Sequence, residues 1–313
     1  MSTQTVPSAG RPPVSPPRRS TSPVPRGQRF SVRPGPVLGS GPLPKVIALL
    51  ALLVATVLWL LPLAWGLVTS FKSETDAATP DDGWIPAHGF TLGAYRKILD
   101  QGNLPLWGLN SLLVTVVVTA LTVAVSALAA YGFSRTLFRG RKVLLALTLA
   151  SIMVPPQILI VPLFREMITA HLADTYWAVI LPQVVAPAMV FILKRFFDGV
   201  PRELEEAARI DGAGSLRVFW SIVLPLSRPI LAAVAIFVFI TTWNNFLWPF
   251  ISTSDPNLMT LPVGLSTVKD SYGLQYAQSA AAAMLASLPL VIVFMVFQRQ
   301  IVKSVATTGL GGQ

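Results

Sequence analysis

The chain has 313 residues, of which 53% are hydrophobic and only 12% charged, with a mean hydropathy of +0.62. A soluble domain this apolar would expose large sticky patches, so lipid is the expected solvent for much of its surface. The net charge is +10 and there is no cysteine, which excludes a disulfide framework, a thiol nucleophile and a Cys-ligated metal; the two histidines, His88 and His171, are too far apart in sequence to suggest a zinc or haem site.

Residues 1–45 are dominated by Pro, Ser, Arg and Gly, as in Pro16-Pro17-Arg18-Arg19-Ser20. Such a segment cannot bury enough apolar surface to offset its ordering entropy, and a disordered basic tail is expected. Six apolar stretches follow, at 46–69, 109–133, 143–165, 175–196, 230–252 and 278–301. Each can cross about 30 Å of hydrocarbon at about 1.5 Å per residue. The first is too long for a signal peptide and has no small-residue cleavage pattern after it, so it reads as an anchor.

Basic residues set the orientation. They gather in the N-terminal tail, after the second span (Arg135, Arg139, Arg141, Lys142), after the fourth (Lys194, Arg195, Arg202, Arg209, Arg217, Arg228) and at the end (Arg299, Lys303). The other side holds only Lys72, Arg96, Lys97, Arg165 and Lys269. The first side is expected to be cytoplasmic, with both termini there. No ionisable residue lies well inside a span, which argues against an ion-coupled transporter and against a strongly charged substrate. A neutral solute moved by an external energy source fits better. There is no GxxxxGK[ST] phosphate loop, so any ATP is bound by another chain.

The segment 201–229 reads as two short helices. Pro201 suits a first helical position, and Glu203, Glu205 and Glu206 suit the positive end of the helix dipole. Asp211-Gly212-Ala213-Gly214 breaks the helix. Ser215 is expected to cap a second one, with Leu216, Phe219 and Ile222-Val223 as an apolar stripe, stopped by Pro225 and Pro229. Ala207 and Ala208 leave a flat surface for close approach. Pattern alone leaves two readings open: a helix lying on the membrane surface, or a dock for a partner.

Glu206-Ala207-Ala208, Asp211-Gly212-Ala213, Ile222, Leu224-Pro225 and Pro229 closely resemble the EAA loop of binding-protein-dependent ABC importer permeases. The likeness runs from about residue 60 to near the C-terminus. Asn110-Ser111, Ala130-Tyr131-Gly132-Phe133-Ser134-Arg135, Met153-Val154-Pro155-Pro156 and Trp243-Asn244-Asn245-Phe246-Leu247-Trp248-Pro249 look like its carbohydrate branch, similar to the second permease subunit of maltose-type systems.

The resemblance implies an all-α, polytopic bundle of six transmembrane helices (46–306) in the bacterial cytoplasmic (inner) membrane, with a short C-terminal tail at 307–313. It implies that 201–229 is a coupling loop docking into a cleft of an ATP-binding subunit. Glu206 would make polar contacts there, Ala207 and Ala208 would allow close packing, and Gly212 would make the break, with Asp211, Ala213, Phe219, Leu224 and Pro225 completing the motif. Its implied partners are a second homologous permease subunit, two ATP-binding subunits that hold ATP and magnesium, and an extracytoplasmic substrate-binding protein facing the loops around 70–108 and 253–277 (Asp81, Asp82, Trp84, Asp255, Lys269). Membrane lipid is the remaining partner; no nucleic acid and no cofactor of the chain's own are expected.

A solute path is sought near Trp243, which lies about 21 Å along the fifth span from Pro229. Trp243, Asn244, Asn245 and Trp248 combine indole faces with neutral amides, which suits sugars; an interfacial aromatic belt with interhelical amide bonds is the plainer reading of the same residues. Gln157 and Gln183 lie near Pro155, Pro156, Pro162, Pro182 and Pro187, which are expected to kink their helices and free carbonyls. A membrane enzyme would need clustered catalytic carboxylates or histidines near an interface; the only acidic cluster, Glu203, Glu205 and Glu206, is explained by its helix-start position. A passive channel and a permease for a polyol or glycerol phosphate are the remaining alternatives.

Overall fold

The computed structural model describes residues 42–79, 83–268 and 275–310. The tail before residue 42, Asp81, Asp82, Lys269 and residues 311–313 lie outside the described residues, as do the side chains of Arg299 and Lys303. Every regular element among the described residues is helical. Compactness divides the chain between Leu58 and Trp59.

Helix α1 (Pro42–Ser70) starts earlier than the apolar run, because Pro42 and Pro44 sit in a first turn whose N–H groups need no partner. Its leucines and valines are exposed almost all round, as suits a helix solvated by lipid. The second unit then builds outward from α4 (Leu104–Arg135), preceded by α2 (Glu74–Ala78) and α3 (Gly93–Gln101). Unlike α1, α4 buries one face, and that face is rich in small and polar residues (Asn110, Ser111, Thr115, Thr122, Ser126, Ala127, Ala130 and Ser134) set among Trp107, Val114, Val118 and Tyr131. Small and hydroxylic residues enriched on the inner face is the arrangement expected where lipid is the solvent and close helix approach drives packing.

Around α4 the spans are bent. Helices α5 (Arg141–Ser151) and α6 (Ile160–Thr169, entered by the 3₁₀ turn Pro156–Leu159) meet at 98°, across Pro155 and Pro156. Helices α7 (Tyr176–Val184) and α8 (Pro187–Asp198) meet at 44°, broken just before Pro187. In each case proline removes a backbone donor and drives its predecessor out of the helical region. After α9 (Arg202–Ile210) and α10 (Ser215–Leu226), the chain turns by 79° at Ser227 into α11 (Arg228–Trp243). The short helices α12 (Leu247–Ser252) and α13 (Leu261–Thr267) lead to α14 (Tyr276–Leu310), whose backbone stays helical into the segment assigned to the C-terminal tail. Three helices are thus long and apolar enough to cross a membrane unbroken, and up to six crossings result if each bent pair is one.

Two clusters hold the bundle. One joins α4, α7, α8, α10 and α11 through Val118, Val179, Leu193, Phe197, Phe219 and Val234. The other, toward the start of α4, joins Trp107, Trp243, Leu261, Leu265, Ala277 and Ala281. There Gly264 is needed for close approach, since a Cβ on it would lie 2.1 Å from the Trp107 ring. The Asn110 amide donates to Asn257 O (2.7 Å) and Met259 O (2.9 Å) and accepts from the Tyr176 hydroxyl (2.7 Å), tying the 253–260 loop to α4 and α7.

Candidate functional site

The 201–229 segment forms an elbow. Pro201 sits one position before the first helical residue, as the N-cap of α9. The helix ends in a Schellman motif: Ala213 N–H donates to Ala208 O (2.9 Å) and Gly212 N–H to Arg209 O (3.0 Å). This geometry needs a left-handed residue, and Gly212 supplies it at φ 80°. Glu206, Ala207, Asp211 and Gly212 are exposed; Ala208 and Ala213 pack partly against the first core cluster.

The second arm departs from expectation in three details. Ser215 is its first helical residue and makes no cap bond, because Gly214 occupies the N-cap. The buried stripe is Val218, Phe219 and Val223, helped by Ile222 and Leu224, whereas Leu216 is exposed. Pro225 does not stop the helix; a π-helical turn at Phe219–Val223 carries the chain past it, and the break comes at Ser227. Pro225 itself is exposed and Leu224 half-buried.

The inner face of α9 holds one of the three first-turn acids that the helix dipole does not tell apart. Glu205 is buried against Arg135 at the end of α4, with Oε1 and Nε 2.9 Å apart. The Arg135 guanidinium also donates to Phe197 O and Val200 O at the end of α8. Glu205 lies three residues before half-buried Ala208 and shares its inward face, a face that the sequence alone does not mark.

The second candidate region is a cavity of about 360 Å³ between α4, α6, α7, α8, α11 and α12. Gln157, Gln183, Asn245 and Trp248 line it, together with Thr241 and Thr242. The Asn245 amide donates to Gln183 Oε1 (2.7 Å), and Gln183 donates back to its own helix at Val179 O (2.8 Å). Trp248 turns its indole N–H onto Ala178 O (3.1 Å), leaving ring surface to the cavity. Thr122, which sequence reasoning did not single out, also lines it, with a buried hydroxyl that has no hydrogen-bond partner among the described residues. Trp243 and Asn244 belong elsewhere. Trp243 is buried in the second cluster with its indole donating to Ala286 O (3.1 Å), and exposed Asn244 bonds Ile240 O (2.9 Å). No group of three or more metal-ligating side chains occurs among the described residues.

Residues 122–307, which contain both elbow and cavity, match the family model described as binding-protein-dependent transport system inner membrane component. The chain is 39% identical to the arabinooligosaccharides transport system permease protein AraQ of Halalkalibacterium halodurans, over 71% of this chain and 80% of that one. It is 31% identical to the trehalose/maltose transport system permease protein MalG of Thermococcus litoralis, over 87% of this chain and 98% of that one. In fold it is similar to a chain of a bacterial ABC transporter involved in the import of the acidic polysaccharide alginate, with a TM-score of 0.71 and 20% identity, covering 82% of this chain and 96% of that one.

Proposed function

The chain belongs to the family of binding-protein-dependent transport system inner membrane components, and from that premise we propose that it is the permease subunit through which an ABC importer moves a neutral sugar or oligosaccharide. The solute arrives from an extracytoplasmic binding protein. The pathway is completed by a second, related permease subunit, and two ATP-binding subunits hold ATP and magnesium. The chain crosses the membrane six times, each bent pair counting once, with both termini in the cytoplasm.

The observation that carries this reading is the elbow. Its outer surface offers Glu206 and Ala207 to a partner, beside a sharp glycine break at Gly212. Its inner surface is fastened to Arg135 of α4, which also grips the end of α8, and both of those helices wall the cavity. Closure of the ATP-binding subunits displaces the elbow, and the helices around the cavity follow, opening it alternately to either side. Within the cavity, the neutral amides of Gln157, Gln183 and Asn245 and the Thr122, Thr241 and Thr242 hydroxyls suit sugar hydroxyls, while the Trp248 ring suits an apolar sugar face. The chain itself performs no covalent step.

The test is reconstitution with the partner subunits and binding protein in proteoliposomes, followed by uptake of labelled di- and oligosaccharides. ATP-dependent accumulation with solute-stimulated ATP hydrolysis is expected. Solute equilibration without ATP, or hydrolysis that no sugar stimulates, would overturn the proposal.

A further inference from the structure

The last turns of α4 place Tyr131, Ser134 and Arg135 on one face, at spacings of three and four. Each is buried or nearly so, and each reaches a different part of the elbow or its root. The Tyr131 hydroxyl donates to Ser215 O (3.0 Å) at the start of α10, and its ring packs on Phe219 with centroids 4.9 Å apart. Ser134 Oγ donates to Asp198 Oδ1 (2.7 Å), whose other oxygen takes the Lys194 ammonium (2.7 Å). Arg135 grips the end of α8 through two carbonyls and α9 through Glu205.

A helix cap alone does not account for this. A cation on the last carbonyls of α8 is favoured by the helix dipole, but that needs no buried carboxylate. Sequestering both charges costs desolvation that an apolar pair of similar volume would avoid, so the pair is a poor device for stability alone. What a planar guanidinium supplies is reach: one nitrogen donates to two carbonyls at the end of α8 while Nε lies beside the Glu205 carboxylate on α9 as an ion pair. The pair also fixes the inner side of the very helix whose outer side carries Glu206.

We propose that Tyr131, Ser134 and Arg135 form a clamp, with Arg135 and Glu205 as positioning residues, that makes both arms of the elbow and the ends of α4 and α8 move as one body, so that displacement of the elbow reaches the cavity without slippage. The proposal rests on the importer reading, and the wild-type assembly separates the two: if wild type itself shows no ATP-driven uptake, the importer reading fails first.

The experiment compares the full assembly carrying Glu205→Gln, Arg135→Lys or Tyr131→Phe with wild type. Three readouts are followed: co-purification of the ATP-binding subunit, ATP hydrolysis, and solute accumulated per ATP hydrolysed. Glu205→Gln keeps shape and removes charge; ATP hydrolysis is expected to stay within about twofold while solute moved per ATP falls about tenfold. Arg135→Lys keeps the charge but loses the fork, and the ratio is expected to fall less. Tyr131→Phe keeps the ring on Phe219 and loses only the hydroxyl grip, so a fall of about threefold is expected with assembly intact. If Glu205→Gln fails to assemble, Tyr131→Phe decides alone. An unchanged ratio in variants that assemble overturns the clamp, as does a parallel loss of hydrolysis and uptake at constant ratio, which marks a merely structural role.

Discussion

The clamp and the cavity share α4 and α8, and Thr122 and Arg135 stand only about 20 Å apart along the same helix. Their chemistry is opposite. In the clamp the charges are buried; Tyr131, Ser134 and the Arg135 guanidinium donate to fixed acceptors, while Arg135 Nε meets Glu205 Oε1 as a charge contact without hydrogen-bond geometry. In the cavity nothing is charged, Asn245 donates to Gln183 and Gln183 to its own helix, and the Thr122 hydroxyl has no hydrogen-bond partner among the described residues. A part that transmits displacement gains from contacts that do not yield. A part that must first hold and then release a solute gains from weak, exchangeable ones. One helix can serve both because its buried face changes character along its length.

The largest expected effect comes from the outer side of the elbow. Glu206 is exposed, so Glu206→Lys leaves the fold and melting temperature intact; charge reversal at the dock is expected to cost about 3 kcal/mol and lower ATP-driven uptake about a hundredfold. Gly212→Val is next. A Cβ there meets nothing within 4 Å, so the cost is left-handed backbone strain of about 1–2 kcal/mol rather than a clash, and uptake is expected to fall about tenfold. Uptake assays on purified, reconstituted complexes check both. Normal import by Glu206→Lys would separate the elbow from the dock altogether.

The outer side was legible in the sequence because its requirements are local, a helix start and a glycine break in a fixed order, although of the two alanines read with it only Ala207 faces outward and Ala208 turns partly to the core. The inner side was not. Glu203, Glu205 and Glu206 are equally good first-turn acids, and only the path of α4 decides that Glu205 alone turns inward to Arg135. The cavity was half legible for a related reason. Amides and indoles near prolines mark a polar place in an apolar bundle, but the helix break after Trp243 rotates Asn245 and Trp248 toward the cavity and leaves Trp243 in a different core. Period alone carries a helix straight on through such a break. The exposure of α1 and the burial of α4 were likewise not separable by hydropathy, although the hydroxyls along α4 distinguish a packed helix from a lipid-facing one.

The cavity variants are expected to act on affinity, not on coupling. Gln183→Ala removes the acceptor that holds Asn245 as well as its own amide, and the KM for uptake is expected to rise about tenfold with ATP hydrolysis at saturating solute unchanged. Trp243→Phe sharpens the contrast from the other direction. It removes the indole bond to Ala286 O inside a packed cluster, so it is expected to lower stability by about 1 kcal/mol, read as a lower melting temperature in detergent, while KM stays put. A raised KM without a stability loss in Trp243→Phe would move the solute path to the second cluster.

The smallest effect is expected at Asn244, and it is the most discriminating because its neighbour supplies the control. Asn244 and Asn245 are the same residue type at adjacent positions, and sequence offers no ground to rank them. In the structure Asn244 is exposed and spends its amide on Ile240 O, closing the last turn of α11, while Asn245 lines the cavity beside Gln183. Asn244→Ala is therefore expected to leave the KM for uptake within about twofold of wild type, the range of an exposed hydrogen bond worth a few tenths of a kcal/mol, whereas Asn245→Ala raises it severalfold. Equal shifts in the two variants would mean that the solute passes the outer side of this break, and that the space around Gln183 is packing space rather than a passage.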